Sequence, residues 1–223
     1  MSLSHSEAEG FVLAGGQSSR MGQEKALIQL AGRPLVGHAL EILRAAGLES
    51  RIAGARNDLS QFAPLVPDSP QHSGLGPLAG ICSALSAATT RFAVFLPVDL
   101  PMIPAGLIEY LLHHATVTAS ALTVVSVAAF TQTFPAVIDR AALPYLESSL
   151  HSGDRNTLKA FRSAASALKR PFTALPIELL VQPGQVRHPH GMHPVQWFLN
   201  INTPSDLKAA EAFFAATGPV PVK

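Results

Sequence analysis

The sequence has a single cysteine, Cys82, so no disulfide can form within the chain, and a reducing compartment is the natural reading. Cys82 stands in an apolar stretch after a Gly-rich loop, where a free thiol packs as a small hydrophobe. Only 14% of the 223 residues are charged and the formal net charge is +1, which leaves no broad basic field for nucleic acid. No apolar run approaches the ~20 residues that a membrane span requires. Met1–Gly10 is polar and acidic, the wrong composition for a secretory signal. A cytoplasmic protein is expected, with neither membrane nor nucleic acid among its partners. Two phosphate-binding signatures are also missing. There is no Gly-x-x-x-x-Gly-Lys-Ser/Thr and no Gly-x-Gly-x-x-Gly.

Hydrophobic residues, by contrast, make up 48% of the chain, enough for a large core. Short apolar runs alternate with helical periodicity through the first half. Strands are expected at Phe11–Ala14, Arg51–Ala55, Pro64–Val66 and Phe92–Leu96. Between and after them come a helix opened by Pro34, a helix over Leu78–Ala88 and a helix from Pro104 to Ala115. Strands that alternate with helices imply right-handed crossovers and a mostly parallel sheet, an α/β three-layer sandwich. The second half is less regular. Strands are expected at Ala121–Val127 and Pro135–Ile138, helices near Ala141–Leu150 and Asn156–Ala167, and a Pro-, Gly- and His-rich loop over 182–194. A last strand, Trp197–Ile201, is expected to lead into a helix opened by Thr203-Pro204. With no repeat and no linker, residues 1–223 read as one domain.

Four segments carry chemistry. After the first strand runs Leu13-Ala14-Gly15-Gly16-Gln17-Ser18-Ser19-Arg20-Met21-Gly22-Gln23-Glu24-Lys25. Ligands of open parallel sheets sit beyond the carboxyl ends of the strands, and this loop is there. Gly15 and Gly16 let backbone N–H groups approach phosphate oxygens, while Arg20 and Lys25 add a planar fork and a mobile point charge. The second segment, Gly74-Leu75-Gly76-Pro77-Leu78-Ala79-Gly80, runs a loop into a helix. The small residues Gly76 and Gly80 permit close contact with a base or ribose. Asp68 lies just upstream, at a strand end.

The third is Phe95-Leu96-Pro97-Val98-Asp99-Leu100-Pro101, in which an apolar strand ends in one carboxylate fenced by prolines. A lone oriented Asp there can hold Mg²⁺ shared with nucleotide phosphates, or cap a turn. The fourth is Asn200-Ile201-Asn202-Thr203-Pro204, where strand alternation would put Asn200 and Asn202 on one face. His188, His190 and His193 lie close enough in sequence to suggest zinc, but Pro189 and Gly191 preset no geometry and no Cys is near, so a solvated or acceptor-facing loop is expected.

Together these segments resemble the molybdenum cofactor guanylyltransferase family from Phe11 to about Phe214. The pattern Leu-x-Gly-Gly-x-Ser-x-Arg-Met-Gly-x-x-Lys is the most specific part. Gln132-Thr133-Phe134-Pro135-Ala136-Val137 and Gly153-Asp154-Arg155 are similar to the family's acceptor side. The resemblance implies a Rossmann-like nucleotidyltransferase fold and transfer of GMP from GTP to the terminal phosphate of molybdopterin, with release of pyrophosphate. It implies that Leu13, Ala14 and Gly15 contact nucleotide, Lys25 its phosphates, Asp99 the Mg²⁺, and Asp68 the nucleotide again. Asn200 and Asn202 would face the acceptor or support the metal. Other cofactor-biosynthesis or molybdoenzyme-maturation proteins would be the partners. Gly54 stands where some members carry an Asn that contacts nucleotide. A cytidylyltransferase, a transferase acting on a sugar phosphate and a non-catalytic nucleotide-binding module are the competing readings.

Overall fold

The computed structural model describes residues 7–15, 24–54, 57–69 and 75–217. Its strands are β1 (Ala8–Leu13), β2 (Gln29–Leu30), β3 (Arg33–Pro34), β4 (Ser50–Ala53), β5 (Leu65–Val66), β6 (Phe92–Pro97), β7 (Leu122–Val127), β8 (Phe130–Thr131), β9 (Ala136–Asp139) and β10 (Phe172–Pro176). Its α-helices are α1 (Leu35–Ala45), α2 (Pro77–Ala87), α3 (Ala105–Thr118), α4 (Leu143–His151), α5 (Thr157–Leu168), α6 (Ile177–Val181) and α7 (Pro204–Thr217). β2 and β3 form a small separate hairpin. The main sheet runs β10-β7-β9-β6-β1-β4-β5, with β8 paired to β7. The contacts of β1 with β4 and β6, of β4 with β5 and of β7 with β10 are parallel; β9 and β8 pair antiparallel.

Alternation along the strands sorts the core into two layers. Val12, Val94 and Leu96 pack with Leu35, Ala39 and Leu43 of α1 and Leu107 and Leu111 of α3. Phe11, Leu13 and Phe95 point the other way, toward Leu78 and Ile81 of α2 and toward α4 and α5. β6 lies in the middle with its first five residues buried, so its sequence is continuously apolar. The rings of Phe11 and Phe95, neighbours in register, stack with centroids 5.5 Å apart. Such a pair contributes about 1 kcal/mol beyond the burial itself.

One expectation needs correction, and one strand was not anticipated. Trp197–Ile201 is no strand: Pro194–Phe198 is a short 3-10 turn. Pro194 sets φ for the first turn, and Trp197 is buried with its Nε1 donating to the Met192 carbonyl at 2.8 Å. The apolar run thus fills a core from one side of a turn. The unanticipated strand is β10, which follows Pro171 and ends in Pro176, prolines that a sheet edge tolerates. No helix among the described residues is long and apolar enough to cross a membrane.

Candidate active site

β1 stands where the strand order reverses, with β4 on one side and β6 on the other, which is where open α/β sheets hold ligands. Each ladder extends one residue past its strand. Ala14 N donates to the Ala53 carbonyl at 3.1 Å, Gly54 N to Val66 at 3.1 Å and Val98 N to Leu13 at 3.2 Å. Ala14–Gly15, Gly54, Asp68 and Asp99 therefore emerge at one edge, around a cleft of about 1180 Å³. Leu13, Ala53 and Pro97 make its apolar floor.

On one side of the cleft, Gly76 (φ +85°) turns the chain so that Pro77 opens α2 at its first position. Gly80, one turn along, faces Asp68. A Cβ there would come within 3.6 Å of Asp68 Oδ1 and 3.7 Å of Leu13 Cδ2, so α2 lies close over the cleft floor. Gly54 adopts φ +140°, and a Cβ there would meet the Gly15 amide nitrogen at 3.3 Å. Gly16 and Arg20 lie outside the described residues.

Lys25 opens a 3-10 turn, Lys25–Leu27, held in the core by Ala26 and Ile28. Its Nζ donates to Asp99 Oδ2 at 2.7 Å, across 74 residues of chain, and to Asn202 Oδ1 at 2.6 Å, across 177. Two further contacts hold the Asn202 segment. Ile201 is buried and its N donates to the Asp99 carbonyl at 3.0 Å. Asp206 Oδ2 accepts from Asn202 N at 3.0 Å and Thr203 N at 2.8 Å, while Asp206 N donates to Thr203 Oγ1 at 3.2 Å. This reciprocal cap starts α7. The backbone bonds from Asn202 and Thr203 hold the Asp206 carboxyl below its ordinary pKa, and the Lys25 charge adds to them.

Asn200 and Asn202 both line the cleft. They reach it from an irregular segment fixed by Asp99 and Asp206, not from one face of a strand.

The opposite wall consists of Gln132, Thr133 and Phe134 after β8, with Asn156, Thr157 and Leu158 at the start of α5. The cleft thus meets Asn156–Leu158, one step beyond Gly153-Asp154-Arg155. Asp154 is occupied with Lys159 at 2.9 Å, and Arg155 is exposed. Sequence reasoning missed Asn156 because it reads as a helix cap, and it does cap: its Oδ1 accepts from Lys159 N at 3.0 Å.

The histidine loop does something else. The His188 ring lies 5.9 Å from Trp197, 5.7 Å from His190 and 6.1 Å from Phe213. Burial, with the nearby His190 charge, pushes the His188 pKa down to about 4. Among the described residues no group of three His, Cys, Asp or Glu side chains is arranged to hold a metal. His188 and His190 are packing partners of α7 through Phe213, while His193 stays exposed, in keeping with a solvated loop and not with a zinc site. Cys82 is likewise buried in α2, which pushes its thiol up to about 12.

Comparison with known proteins agrees with this geometry. Residues 10–168 match the MobA-like NTP transferase domain. The molybdenum cofactor guanylyltransferase of Rhodobacter capsulatus is 32% identical over 208 residues, covering 91% of this chain and 94% of its own. That of Serratia proteamaculans is 35% identical over 174 residues, covering 76% and 86%. Among solved structures, molybdopterin-guanine dinucleotide biosynthesis protein A from Archaeoglobus fulgidus superimposes with a TM-score of 0.73 at 24% identity, over 93% of this chain and 99% of its own. A CMP:2-keto-3-deoxy-manno-octonic acid synthetase complexed with CTP shares the fold at a TM-score of 0.67 and 16% identity, over 95% and 99%. Strand order, cleft and sequence match lead to one conclusion: the chain belongs to the MobA-like NTP transferase family and is a nucleotidyltransferase.

Proposed function

We propose that the chain transfers GMP from GTP to the terminal phosphate of molybdopterin and releases pyrophosphate. The observation that carries the transfer reading is the convergence of Lys25, Asp99 and Asn202 at the mouth of one cleft, between the glycine-lined wall and the Gln132–Asn156 wall. The identity of both substrates rests on the relatives' names. In this reading the whole chain is one catalytic unit. Its first half takes nucleotide through Leu13, Ala14, Gly15, Gly16, Asp68, Gly76 and Gly80, and its second half takes the acceptor. The reducing cytoplasm suits the lone buried thiol, and the product would pass to proteins that mature molybdoenzymes.

The attacking group is a phosphate monoester, already ionised near neutral pH because its second pKa is about 6. It needs no general base. Catalysis reduces to holding two anions together and neutralising charge at the α-phosphoryl group and the leaving pyrophosphate. Lys25, Arg20 and the backbone N–H groups after β1 do this from the protein side. Asp99 and Asn202 fit a hard divalent cation. Their oxygens converge on one point, now taken by the Lys25 ammonium, and Asp99 Oδ1 accepts no hydrogen bond from the described residues. Mg²⁺ takes one or two carboxylates and completes its shell with phosphate and water, so this sparse donor set suits it. When bound there, it supplies further charge neutralisation to the phosphates.

The test is thermal stabilisation and pyrophosphate release with GTP, CTP and ATP, each with Mg²⁺. GTP should give the largest shift and the only substantial turnover with molybdopterin. A larger response to CTP would remove the guanylyl assignment and leave nucleotidyl transfer standing.

A further inference from the structure

We propose that the Lys25 ammonium is the resident cation of the metal position, so that a divalent ion enters only together with nucleotide. The inference rests on reading Asp99 as the metal-holding carboxylate. Lys25 Nζ lies 2.7 Å from Asp99 Oδ2 and 2.6 Å from Asn202 Oδ1, the same two oxygens that would face the ion. An ammonium is a compact point charge with several donors, a fair substitute for a small hard cation between a carboxylate and a carboxamide oxygen. The Lys25 side chain is also largely shielded, 18% exposed, with Asp99 at 22%.

The competition is unequal for a free ion. Lys25 is tethered by the 3-10 turn that Ala26 and Ile28 bury, so its ammonium faces Asp99 at an effective concentration in the millimolar range or above. An ion offered only one carboxylate and one carboxamide has no comparable advantage. Nucleotide reverses the balance. Its phosphates give Lys25 a better anion to pair with and give the ion the oxygens that complete its shell. Lys25 then moves by side-chain rotation alone. Asp99 is at no stage left as a bare charge against the incoming triphosphate.

The backbone that carries the two oxygens does not depend on Lys25 for its placement. Ile201 N holds the segment to the Asp99 carbonyl, and Asp206 fixes the backbone of Asn202 and Thr203. Removing the ammonium therefore leaves Asp99 and Asn202 side by side on a fixed backbone, with both oxygens open to an ion.

The experiment titrates Mn²⁺, without nucleotide, into the wild-type chain, Lys25→Met and Lys25→Met/Asp99→Asn, and follows the free-ion signal by electron paramagnetic resonance. A parallel arm adds GTP to the wild type and to Asp99→Asn. Lys25→Gln, uncharged but polar, accompanies Lys25→Met in case the apolar side chain disturbs folding. Both Lys25 variants should bind one Mn²⁺ at least 10-fold more tightly than the wild type, and Asp99→Asn should remove that site again. Wild-type binding as tight as the variants', or variants no tighter than the wild type, would overturn the proposal while GTP-dependent uptake through Asp99 still stands. If Asp99→Asn takes up Mn²⁺ with GTP as the wild type does, the metal reading itself fails, and this inference with it.

Discussion

At the edge where β6 begins, Asp139 is clamped. Arg91 Nε at 3.0 Å and Arg170 at 2.7 Å share its Oδ2, and Ala141 N donates to its Oδ1 at 2.9 Å. Glu9 at the start of β1 is treated alike, bonded to Thr89 and Thr90 through Oε1 and to Arg51 through Oε2. At the other edge, where β6 ends, Asp99 has one ammonium on one oxygen, and the described residues leave its second oxygen to the cleft. Burial alone would raise the carboxyl pKa of Asp139 and Glu9, yet their bonds outweigh it and hold both below the ordinary value. The carboxylates of one edge are saturated, which serves cohesion. The carboxylate of the other edge keeps one oxygen open to the cleft, the condition that the proposed ligand role requires.

The sharpest way to break this contrast is Asp99→Asn. Turnover should fall by about 10³-fold, the scale of losing one oriented charge-stabilising group and its ion, with the melting temperature close to wild type. Normal Mg²⁺-dependent pyrophosphate release would show that the ion is held elsewhere. Asp139→Asn should do the reverse. Removing the charge deprives Arg91 and Arg170 of their shared carboxylate at a buried position, at a cost of about 2–3 kcal/mol in urea unfolding, while kcat/KM of the folded fraction stays within about twofold. A loss of activity without loss of stability would erase the distinction between the edges.

The smallest effect concerns pH. His188 packs against Trp197 and Phe213, and its folded pKa of about 4 lies below the ordinary 6.5. Protonation is thus favoured in the unfolded chain, so the contribution is complete above about pH 6.5 and declines as pH falls toward 4. Asp139 and Glu9, also held low, lose their contribution only below the ordinary carboxylate range. Between pH 7 and 5 the melting temperature should drop by about 2–4 °C from His188, with His38 and His114, also held low by burial, adding to the fall, and His188→Phe should reduce that slope. An unchanged slope would remove His188 as its source.

The strands and helices that place the cleft were legible because β1 and β6 are short apolar runs ended by Gly15 and by Pro97, and α1 shows helical periodicity. Asp99 and Lys25 were recognisable for the same reason: each stands just beyond a strand or its glycine turn. Their contact was not legible, since it joins positions 74 residues apart, and Asn202 joins from 177 away. Trp197–Ile201 misled because an apolar run of five can fill a core from a turn as well as from a strand. Asn156 hid behind its own cap, since one carboxamide serves a helix start in either role. The histidines suggested ligands by type, but ring packing with Trp197 and Phe213 is invisible in spacing.

The bridging of Lys25 to Asn202 has a consequence for how the enzyme comes into being. During synthesis the strands around β1 and β6 emerge first and can begin to fold as a sheet. Lys25 and Asp99 meet within that portion, but the carboxamide that shares the ammonium is added more than a hundred residues later. A nascent or truncated chain that stops short of residue 202 could hold nucleotide and yet lack the second oxygen of the ion position. On the proposed reading, competence for transfer would arrive late in translation, after the half assigned to nucleotide has been built.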